Sequence, residues 1–407
     1  MLINLRNALM AGKRLPYDAE VEYLGGGSVD GGIAFVDTGY MPNSSTRIEA
    51  TAAMLTGSAF SGRYGNGARL TFGSGNNQLY SAQGGHYFFG SFTTGRYYSF
   101  VNDIQNRTVS VDGATPTSTS AVANWYSQSY PFYLFVSNVA PTSGSIVIAG
   151  HSIDPSSVGG MRIASCRIYD NNILVRDFIP VRKGTVGYLY DRVSGKLFGN
   201  AGTGDFVLGQ DVVPVEYLQS SGTQWIDTGV IPTAADSFYC RIRQSVVADQ
   251  CLWGLASVAY CFSNWTGVGS GNGTFWGHPA IGTGGVQGVN PLGDTNWHEI
   301  LCQPSGIFVD GVQINTQVTA PTLSPLNTVA LFARSVNSAG GGVTKYGRGR
   351  MSAFKVERNG DPLRKYFPVR VGTEGAMMDV LTRRIYRNAG TGAFTYGNDL
   401  KYPIPAE

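Results

Sequence analysis

The repetition of one long segment constrains this chain more than any other feature of its sequence. The segment FIPVRKGTVGYLYDRVSGKLFGNAGTGDF at 178–206 returns 188 residues later as YFPVRVGTEGAMMDVLTRRIYRNAGTGAF at 366–394. Aligned without a gap, 13 of the 29 positions are identical, and most of the others exchange similar side chains. The 407-residue chain therefore contains one unit that occurs twice.

The two copies also open alike. VEYL occurs at 21–24 and at 215–218, and VDTG at 36–39 is matched by IDTG at 226–229. Each unit spans about 190 residues, which is the size of one large domain, and this period is too long for a solenoid. The sequence therefore predicts five segments: an arm at 1–20, a first domain at 21–211, a linker at 212–214, a second domain at 215–400 and a tail at 401–407.

Composition and patterning favour β-structure in both units. Only 14% of the residues are charged and 55 are glycine, whereas about 25% charged residues is typical of soluble domains. Short apolar/polar alternations bounded by turn residues predict many strands joined by tight turns. The Asp-Gly pairs at 112–113 and 310–311 predict hairpins, and the glycine-rich stretch GGGSVDGG at 25–32 predicts a flexible turn.

The first 15 residues are the one part with a helical pattern. Leu2, Leu5 and Leu9 fall on one face of a helix and Arg6 falls elsewhere. We expect a short helical arm that either packs on the first domain or attaches the protein to a larger assembly. No apolar run reaches the roughly 20 residues of a membrane-spanning helix, and no signal-peptide cleavage site follows, so no membrane partner is expected.

Charge and cysteine usage exclude several further classes of function. The formal charge of +3 is small and its basic residues are dispersed, which argues against a nucleic-acid partner. The cysteines do not match between the copies, so no shared disulfide or metal framework is expected, and no acidic cluster predicts a metal or other cofactor. We expect buried free thiols, with a bridge in the second copy as the alternative. The cysteines are Cys166, Cys240, Cys251, Cys261 and Cys302.

Three matched motifs together resemble a known family. They are VEYL with (V/I)DTG at the opening, VDG in the middle and FxPVRxGT…G…D…NAGTGxF at the close. This pattern resembles the concanavalin A-like lectin/glucanase domains, of the laminin-G-like kind, of bacteriophage structural proteins and gut bacterial surface proteins. The resemblance covers 21–211 and 215–399. It implies an all-β fold of two tandem antiparallel jelly-roll β-sandwiches, to which the short N-terminal helical arm is added.

Catalysis is not expected, although some members of this fold class hydrolyse glycosides. Such enzymes need two carboxylates that flank the sugar, and the family pattern E-x-D-x-x-E is absent here. Glu20 with Glu22 is the nearest candidate, and this pair does not recur in the second copy. Two pairs of acidic residues that do recur stand singly beside turn residues, where turn bonding explains them. They are Asp37 with Asp227, and Asp191 with Asp379.

Sugar binding is the favoured activity, because sugar rings stack on exposed aromatic faces beside polar groups. Trp265, in a Gly/Ser-rich stretch, is the best exposed candidate, whereas Trp253 and Trp276 are open to the alternative interpretation that they are core residues. The candidate carbohydrate-binding residues are Trp265, Asn264, Trp253 and Trp276 in the second unit, and Trp125 and Tyr64 in the first.

These observations lead to a functional hypothesis with two alternatives. The hypothesis is a non-enzymatic, lectin-like adhesion protein of a phage virion or an extracellular surface, which contacts cell-surface glycans. Its arm, through Leu2, Leu5, Arg6 and Leu9, would bind other virion proteins, and the chain could form homo-oligomers. The alternatives are a purely structural virion spacer and, least favoured, a glycoside hydrolase.

Overall fold

The chain forms two units in a computed structural model. One unit comprises residues 1–211 with 382–384, and the other comprises residues 212–381 with 385–407. The structure describes residues 15–29, 31–55, 58–61, 69–73, 78–82, 92–118, 131–138, 143–153, 155, 158–255, 259–267, 271–278, 282–287, 292–314, 325–336 and 341–402. The predicted helical arm at the N-terminus lies almost entirely outside these residues. Within them there is no helix that could span a membrane.

The described part of the first unit is built from short strands. These strands are β1 (Ala19–Glu20), β2 (Leu24–Val29), β3 (Gly32–Ala34), β4 (Val36–Asp37), β5 (Thr46–Met54), β6 (Ser58–Ser61), β7 (Arg69–Gly73), β8 (Gln78–Ala82), β9 (Tyr97–Asp103), β10 (Thr108–Val111), β11 (Thr117–Ser118), β12 (Tyr133–Leu134), β13 (Ile146–Ile148), β14 (His151–Ile153), β15 (Met161–Asp170), β16 (Ile173–Lys183), β17 (Val186–Asp191), β18 (Lys196–Phe198) and β19 (Val207–Leu208).

The second unit has a corresponding set of strands. These strands are β20 (Val212–Pro214), β21 (Leu218–Ser221), β22 (Ile226–Asp227), β23 (Asp236–Gln244), β24 (Gln250–Leu255), β25 (Ala259–Gly267), β26 (Gly271–His278), β27 (Gly282–Gln287), β28 (Trp297–Gln303), β29 (Gly306–Val309), β30 (Val312–Gln313), β31 (Ala330–Leu331), β32 (Arg334–Ser335), β33 (Val343–Thr344), β34 (Arg348–Arg358), β35 (Asp361–Val371), β36 (Glu374–Asp379), β37 (Ile385–Tyr386) and β38 (Thr395–Tyr396).

Each unit contains a main sheet with the same strand order. In the first unit the order is β11-β10-β9-β5-β15-β16-β17-β18, and in the second it is β30-β29-β28-β23-β34-β35-β36-β37. The opposing layer of the second unit is the sheet β22-β31-β24-β25-β26-β27, while in the first it consists of smaller sheets. Strand order is therefore repeated along with the sequence, and the predicted fold class of two antiparallel β-sandwiches is confirmed.

The hairpin turns follow from residues that tolerate positive φ. Asp112 and Gly113 have φ of 52° and 77°, and the matched pair Asp310 and Gly311 has 51° and 80°. Two consecutive positive φ angles define the type I′ turn, whose twist suits two antiparallel strands. The Asp-Gly hairpins predicted from the sequence are thus present. One joins β10 to β11, and the other joins β29 to β30.

A separate hydrophobic core lies between the sheets of each unit. In the second unit, Phe238 on β23 stacks on Trp253 on β24, with ring centroids 5.1 Å apart and an interplanar angle of 28°. In the first unit, Phe100 of the main sheet and Leu134 of the opposing layer belong to one buried cluster. Truncating such an aromatic side chain costs about 3–5 kcal/mol, so each core is a major source of stability.

The glycine-rich stretch after Leu24 forms a strand, and its prediction as a flexible turn was wrong. Strand β2 continues through Val29 and pairs with β15, β3 and β19. A Cβ atom on Gly26 would lie 2.7 Å from the Phe135 ring, and one on Gly27 would lie 1.7 Å from a backbone oxygen. These glycines therefore serve close packing of the strand rather than flexibility.

Each unit begins with a short strand that precedes VEYL. Ala19 of β1 pairs with Arg182, and at the matched place Val213 of β20 pairs with Arg370. The described end of the predicted arm and the predicted linker thus both lie in strands of the main sheets. At the other end of each unit, Asp211 forms a bridge with Val21, and Asp399 forms one with Val215.

Candidate functional site

The matched buried carboxylates serve the turns beside them. The Asp191 side chain is fully buried, and its Oδ1 accepts hydrogen bonds from the backbone N–H of Asp177 at 2.9 Å and of Val193 at 3.1 Å. Its Oδ2 accepts the Ser194 hydroxyl at 2.7 Å. Such bonds satisfy a buried carboxylate and fix the turn between β17 and β18.

Asp379 repeats this arrangement in the second unit. Its Oδ1 accepts the N–H of Lys365 at 3.0 Å and of Leu381 at 3.2 Å, and the Arg364 guanidinium lies 3.7 Å from its Oδ2. The turn bonding predicted for these two carboxylates is confirmed. Both carboxylates are 0% exposed, so neither can contact a sugar in the way that glycoside hydrolysis requires.

The second matched pair, Asp37 and Asp227, also stabilises turns. Their Oδ1 atoms accept the N–H groups of Gly39 at 2.8 Å and of Gly229 at 2.9 Å. The remaining partners differ between the copies, because Asp37 lies 3.7 Å from a ring nitrogen of His151. In the second copy the equivalent carboxylate accepts a threonine hydroxyl instead. The common role of the pair is therefore the turn.

The predicted sugar-binding tryptophans of β24 and β26 belong to the core. Trp253 is 1% exposed and Trp276 is 0% exposed. Neither indole presents a face on which a sugar ring could stack, so their selection as binding residues was wrong and the core alternative is correct. They were selected because aromatic composition alone does not tell an inward-facing strand position from an outward-facing one.

The other selected residues are not tested by side-chain contacts. Trp265 and Asn264 lie on β25, where their backbones pair with Gly273 and Thr274, and their side chains are outside the described part. Trp125, Tyr64 and the arm residues Leu2, Leu5, Arg6 and Leu9 are outside the described residues altogether.

The outer face of the second unit's main sheet carries a different aromatic and basic surface. Arg350 on β34, Arg243 on β23 and Trp297 on β28 are Cα partners in one row across three strands. Their chain neighbours Ile242 and Met351 are buried at 1% and 0% exposure, so alternation directs the row away from the core. We call this surface the Arg–Trp face, and its residues are Tyr217, Gln219, Arg241, Arg243, Trp297, Glu299, Arg348 and Arg350.

Arginine side chains lie over the two rings of the Arg–Trp face. The Arg241 guanidinium carbon lies 4.8 Å from the Trp297 ring centroid, and that of Arg350 lies 4.4 Å from the Tyr217 centroid. The two ring centroids are 6.2 Å apart. Each exposed cation–π contact is worth about 0.5–1 kcal/mol, which is enough to orient half-buried rings at the surface.

The Arg–Trp face carries an excess of positive charge. Arg241 lies 4.0 Å from Glu299, and both side chains are well exposed, at 44% and 59%. Arg243 donates through Nε to the backbone oxygen of Thr295 at 2.6 Å, and Arg350 donates through Nε to Gln219 Oε1 at 2.7 Å. Within the described part of the chain, no carboxylate lies in salt-bridge range of Arg243 or Arg350.

Glu299 has a second partner inside the sheet. Burial and the neighbouring Glu299 carboxylate raise the pKa of Tyr239 to about 12. Glu299 thus interacts with both Tyr239 and Arg241.

The first unit keeps only part of this arrangement. Arg162 lies over the Tyr23 ring at 4.4 Å, which repeats the Arg350–Tyr217 distance. Ala53 pairs with both Arg162 and Tyr97, so alanine occupies the place that arginine has in the second unit. Ala53 is also fully buried. The Arg–Trp face is therefore a property of the second unit.

Sequence reasoning missed this surface, because its residues come from strands that are far apart in the chain. The alternation in WHEILCQ could have indicated that Trp297 shares a face with Glu299. The pairing of Arg243 with Arg350, which are 107 positions apart, depends on the register of β23 with β34.

Metal and thiol chemistry find no support in the described residues. No group of three or more His, Cys, Asp or Glu side chains there could hold a metal ion. Four of the five cysteines are described, and all four are buried thiols outside any disulfide. Burial raises the pKa of the Cys166 and Cys240 thiols, which makes these groups poor nucleophiles.

Comparison with solved structures gives similarities that are extensive but weak. Domains LG4-5 of the mouse laminin alpha1 chain match over 96% of this chain and 97% of that chain, at 11% identity and a TM-score of 0.28. A Bacteroides ovatus protein described as a candidate carbohydrate-binding protein matches over 66% of this chain and 82% of that chain, at 12% identity and a TM-score of 0.33. Neither similarity is close enough to carry a function to this chain.

Comparisons of the sequence give no further relatives. No protein-family model matches the chain, and no curated protein matches it. By its own structure, the chain is a tandem pair of antiparallel β-sandwiches.

Proposed function

We propose that this chain is a non-enzymatic, lectin-like protein that binds glycans through the Arg–Trp face of its second sandwich. The observation that carries the proposal is the pair of half-buried rings, Trp297 and Tyr217, held beside arginines on an outward-facing sheet surface. Aromatic faces stack on sugar rings, and adjacent polar groups bind the hydroxyls. The matched carboxylates serve turns, which supports binding rather than hydrolysis.

A glycan array followed by affinity measurements tests this proposal. Trp297→Ala is expected to weaken binding of any array hit by about 5- to 30-fold, because a stacking ring contributes on the order of 1–2 kcal/mol. Tyr23→Ala, which removes the matched ring of the first unit, serves as the control and is expected to leave the affinity unchanged. Equal affinities of the wild-type protein and Trp297→Ala would contradict the proposal.

Trp265 and Asn264 are proposed as further contacts on the same unit, and Trp125 and Tyr64 as contacts on the first. Their support is the sequence pattern that selected them. Trp265→Ala is the informative variant, since a loss of binding that adds to the loss from Trp297→Ala would indicate two contact areas.

For its location we propose a virion or an extracellular surface, with residues 1–14 attaching the chain to other virion proteins. The supporting observation is the motif resemblance of both units, together with the leucines of the arm. Removing residues 2–14 is expected to abolish incorporation into particles while the thermal unfolding of the sandwiches is retained. A protein that incorporates normally without these residues would contradict the attachment role.

A purely structural virion spacer is the second candidate function. It is favoured by the pairs Asp37/Asp227 and Asp191/Asp379, because each of these four carboxylates accepts a backbone N–H group of its own turn. Absence of glycan binding by particles that contain the protein would favour the spacer.

A further inference from the structure

The Arg–Trp face concentrates positive charge in a chain that otherwise has little of it. The whole chain has 30 basic and 27 acidic residues, giving a formal charge of +3. This face has four arginines and one carboxylate, Glu299. The fourth arginine is the exposed Arg348, which lies two residues before Arg350 and on the same side of β34. Such an imbalance on an open surface favours an anionic ligand.

Two of these arginines stand directly opposite each other. Arg243 and Arg350 are Cα partners on adjacent antiparallel strands. Like charges in this position repel each other and destabilise a sheet. An anion between the two guanidinium groups would remove the repulsion.

The hydrogen bonds of this pair leave donors available. Arg243 uses Nε for Thr295 and Arg350 uses Nε for Gln219. The terminal nitrogens of both guanidinium groups therefore remain for a ligand, and guanidinium recognises planar carboxylates with paired donors. Trp297 adjoins Arg243 in the same row and supplies a stacking surface.

The composition of the face distinguishes a polysaccharide from a nucleic acid. Glu299 lies at the end of the surface, at 59% side-chain exposure, and a carboxylate there suits a ligand that brings free hydroxyls as well as charges, which the backbone of DNA does not. The same carboxylate, like the Gln219 amide, can bind sugar hydroxyls.

We propose that the Arg–Trp face binds an acidic polysaccharide, with Arg243 and Arg350 pairing its carboxylates while Trp297 stacks on a sugar ring. This inference rests on the proposed glycan-binding function and narrows it to one class of ligand. The two claims fail separately, since binding of neutral glycans without binding of any acidic polymer would satisfy the first and exclude the second.

The test compares acidic polymers with a neutral polymer of the same backbone. The probes are polygalacturonate, its methyl ester, hyaluronan and polysialic acid, measured by calorimetry with the full chain. We expect at least one acidic polymer to bind, with an affinity that falls as salt rises, and we expect the ester to bind at least tenfold more weakly than polygalacturonate if that polymer is the one bound.

The double variant Arg243→Gln with Arg350→Gln should lower the acidic affinity at least tenfold. Arg162→Gln is the matched control, because it removes the equivalent arginine from the first unit and should have no effect. Thermal unfolding of each variant checks that the sheet is intact. Unchanged binding by a folded double variant, or no binding of any acidic polymer, would overturn the inference. Competition by single-stranded DNA at equal charge would overturn it in favour of a nucleic acid.

Discussion

Single glycines explain why the NAGTG loop is the most faithfully repeated part of the sequence. A Cβ atom on Gly202 would lie 1.8 Å from the backbone oxygen of Ile33, and one on Gly390 would lie 2.1 Å from that of Thr223. In the same loops, Asn200 and Asn388 accept the backbone N–H groups of Phe35 and Trp225, in the opening segment of each unit. The loop therefore joins the end of each unit to its beginning, and Gly202 and Gly390 cannot accept side chains without a shift of the backbone.

Replacing either loop glycine should destabilise its own sandwich. Gly202→Ala or Gly390→Ala is expected to lower the free energy of unfolding by at least about 2 kcal/mol, because the backbone must shift to relieve the overlap. Chemical denaturation measures the change. Gly144→Ala is the control, since a Cβ atom there meets nothing within 4 Å. Equal stabilities of Gly202→Ala and Gly144→Ala would refute the explanation.

The buried carboxylate of Asp191 gives a second prediction at this scale. Asp191→Ala leaves the N–H groups of Asp177 and Val193 without their acceptor and should cost about 3–5 kcal/mol. Asp205→Ala, in the same closing segment but exposed, should change stability by less than about 0.5 kcal/mol. Denaturant titrations of both variants measure the two changes in stability, and similar midpoints would contradict a structural role for Asp191.

Among the elements, the β29–β30 hairpin is held to the segment before β28 by one histidine. His298 Nδ1 lies 2.7 Å from Asp310 Oδ2, and Nε2 lies 2.9 Å from Asp294 Oδ1. Both ring nitrogens face carboxylates, so the protonated ring fits this position best. We call His298 with Asp294 and Asp310 the clamp. Trp297 of the Arg–Trp face is the residue next to His298, so the clamp helps to hold Trp297 in position.

The stability of the second unit should depend on the protonation of this clamp. Burial lowers the pKa of His298, but its hydrogen bonds with Asp310 and Asp294 outweigh burial and raise the pKa above 6.5. A raised folded-state pKa gives stability that is fully present below about pH 6.5 and is lost as the pH rises through the folded value. We expect His298→Gln to abolish this loss between pH 6 and pH 8, measured by denaturation.

The acidic side of the same clamp has the opposite sign. The backbone N–H of Asn296, followed by His298, lowers the pKa of Asp294 to about 2. A lowered pKa gives stability that is present above about pH 4 and disappears as the pH falls towards 2. The clamp should thus contribute most between about pH 4 and pH 6.5. A pH profile of Asp294→Asn parallel to that of the wild-type protein would contradict this account.

The elements also show what the sequence could predict and why the rest required the structure. The Asp-Gly hairpins and the turn role of the matched carboxylates depend on local residue preferences, which a sequence displays. Register between distant strands is not local, so the Arg243–Arg350 pair and the inward direction of Trp253 were not predicted. Nor does residue preference indicate the positive φ of the buried Phe135.

At the scale of the whole molecule, the two units share a scaffold and differ in what one sheet face displays. The main sheets have the same strand order, yet the row Arg350–Arg243–Trp297 corresponds to Arg162–Ala53 and a tyrosine in the first unit. The shared residues maintain the fold, whereas the residues that differ could confer recognition.

Ligand-dependent hydrogen exchange should therefore change in one unit only. With a bound acidic polysaccharide, slower exchange is expected in strands β23, β28 and β34, because the ligand covers their outer face. The matched strands β5, β9 and β15 serve as an internal control and should exchange at unaltered rates. Equal slowing in both sets of strands would show that recognition is not confined to the second unit.

The bridges of Val21 with Asp211 and of Val215 with Asp399 bring the first and last residues of each sandwich side by side. A gene segment that encodes a domain with adjacent ends can be duplicated in tandem. Neither of the two resulting domains must then change its fold at the point where they are joined. After such a duplication, one descendant can preserve the ancestral surface while the other gathers guanidinium groups by mutation.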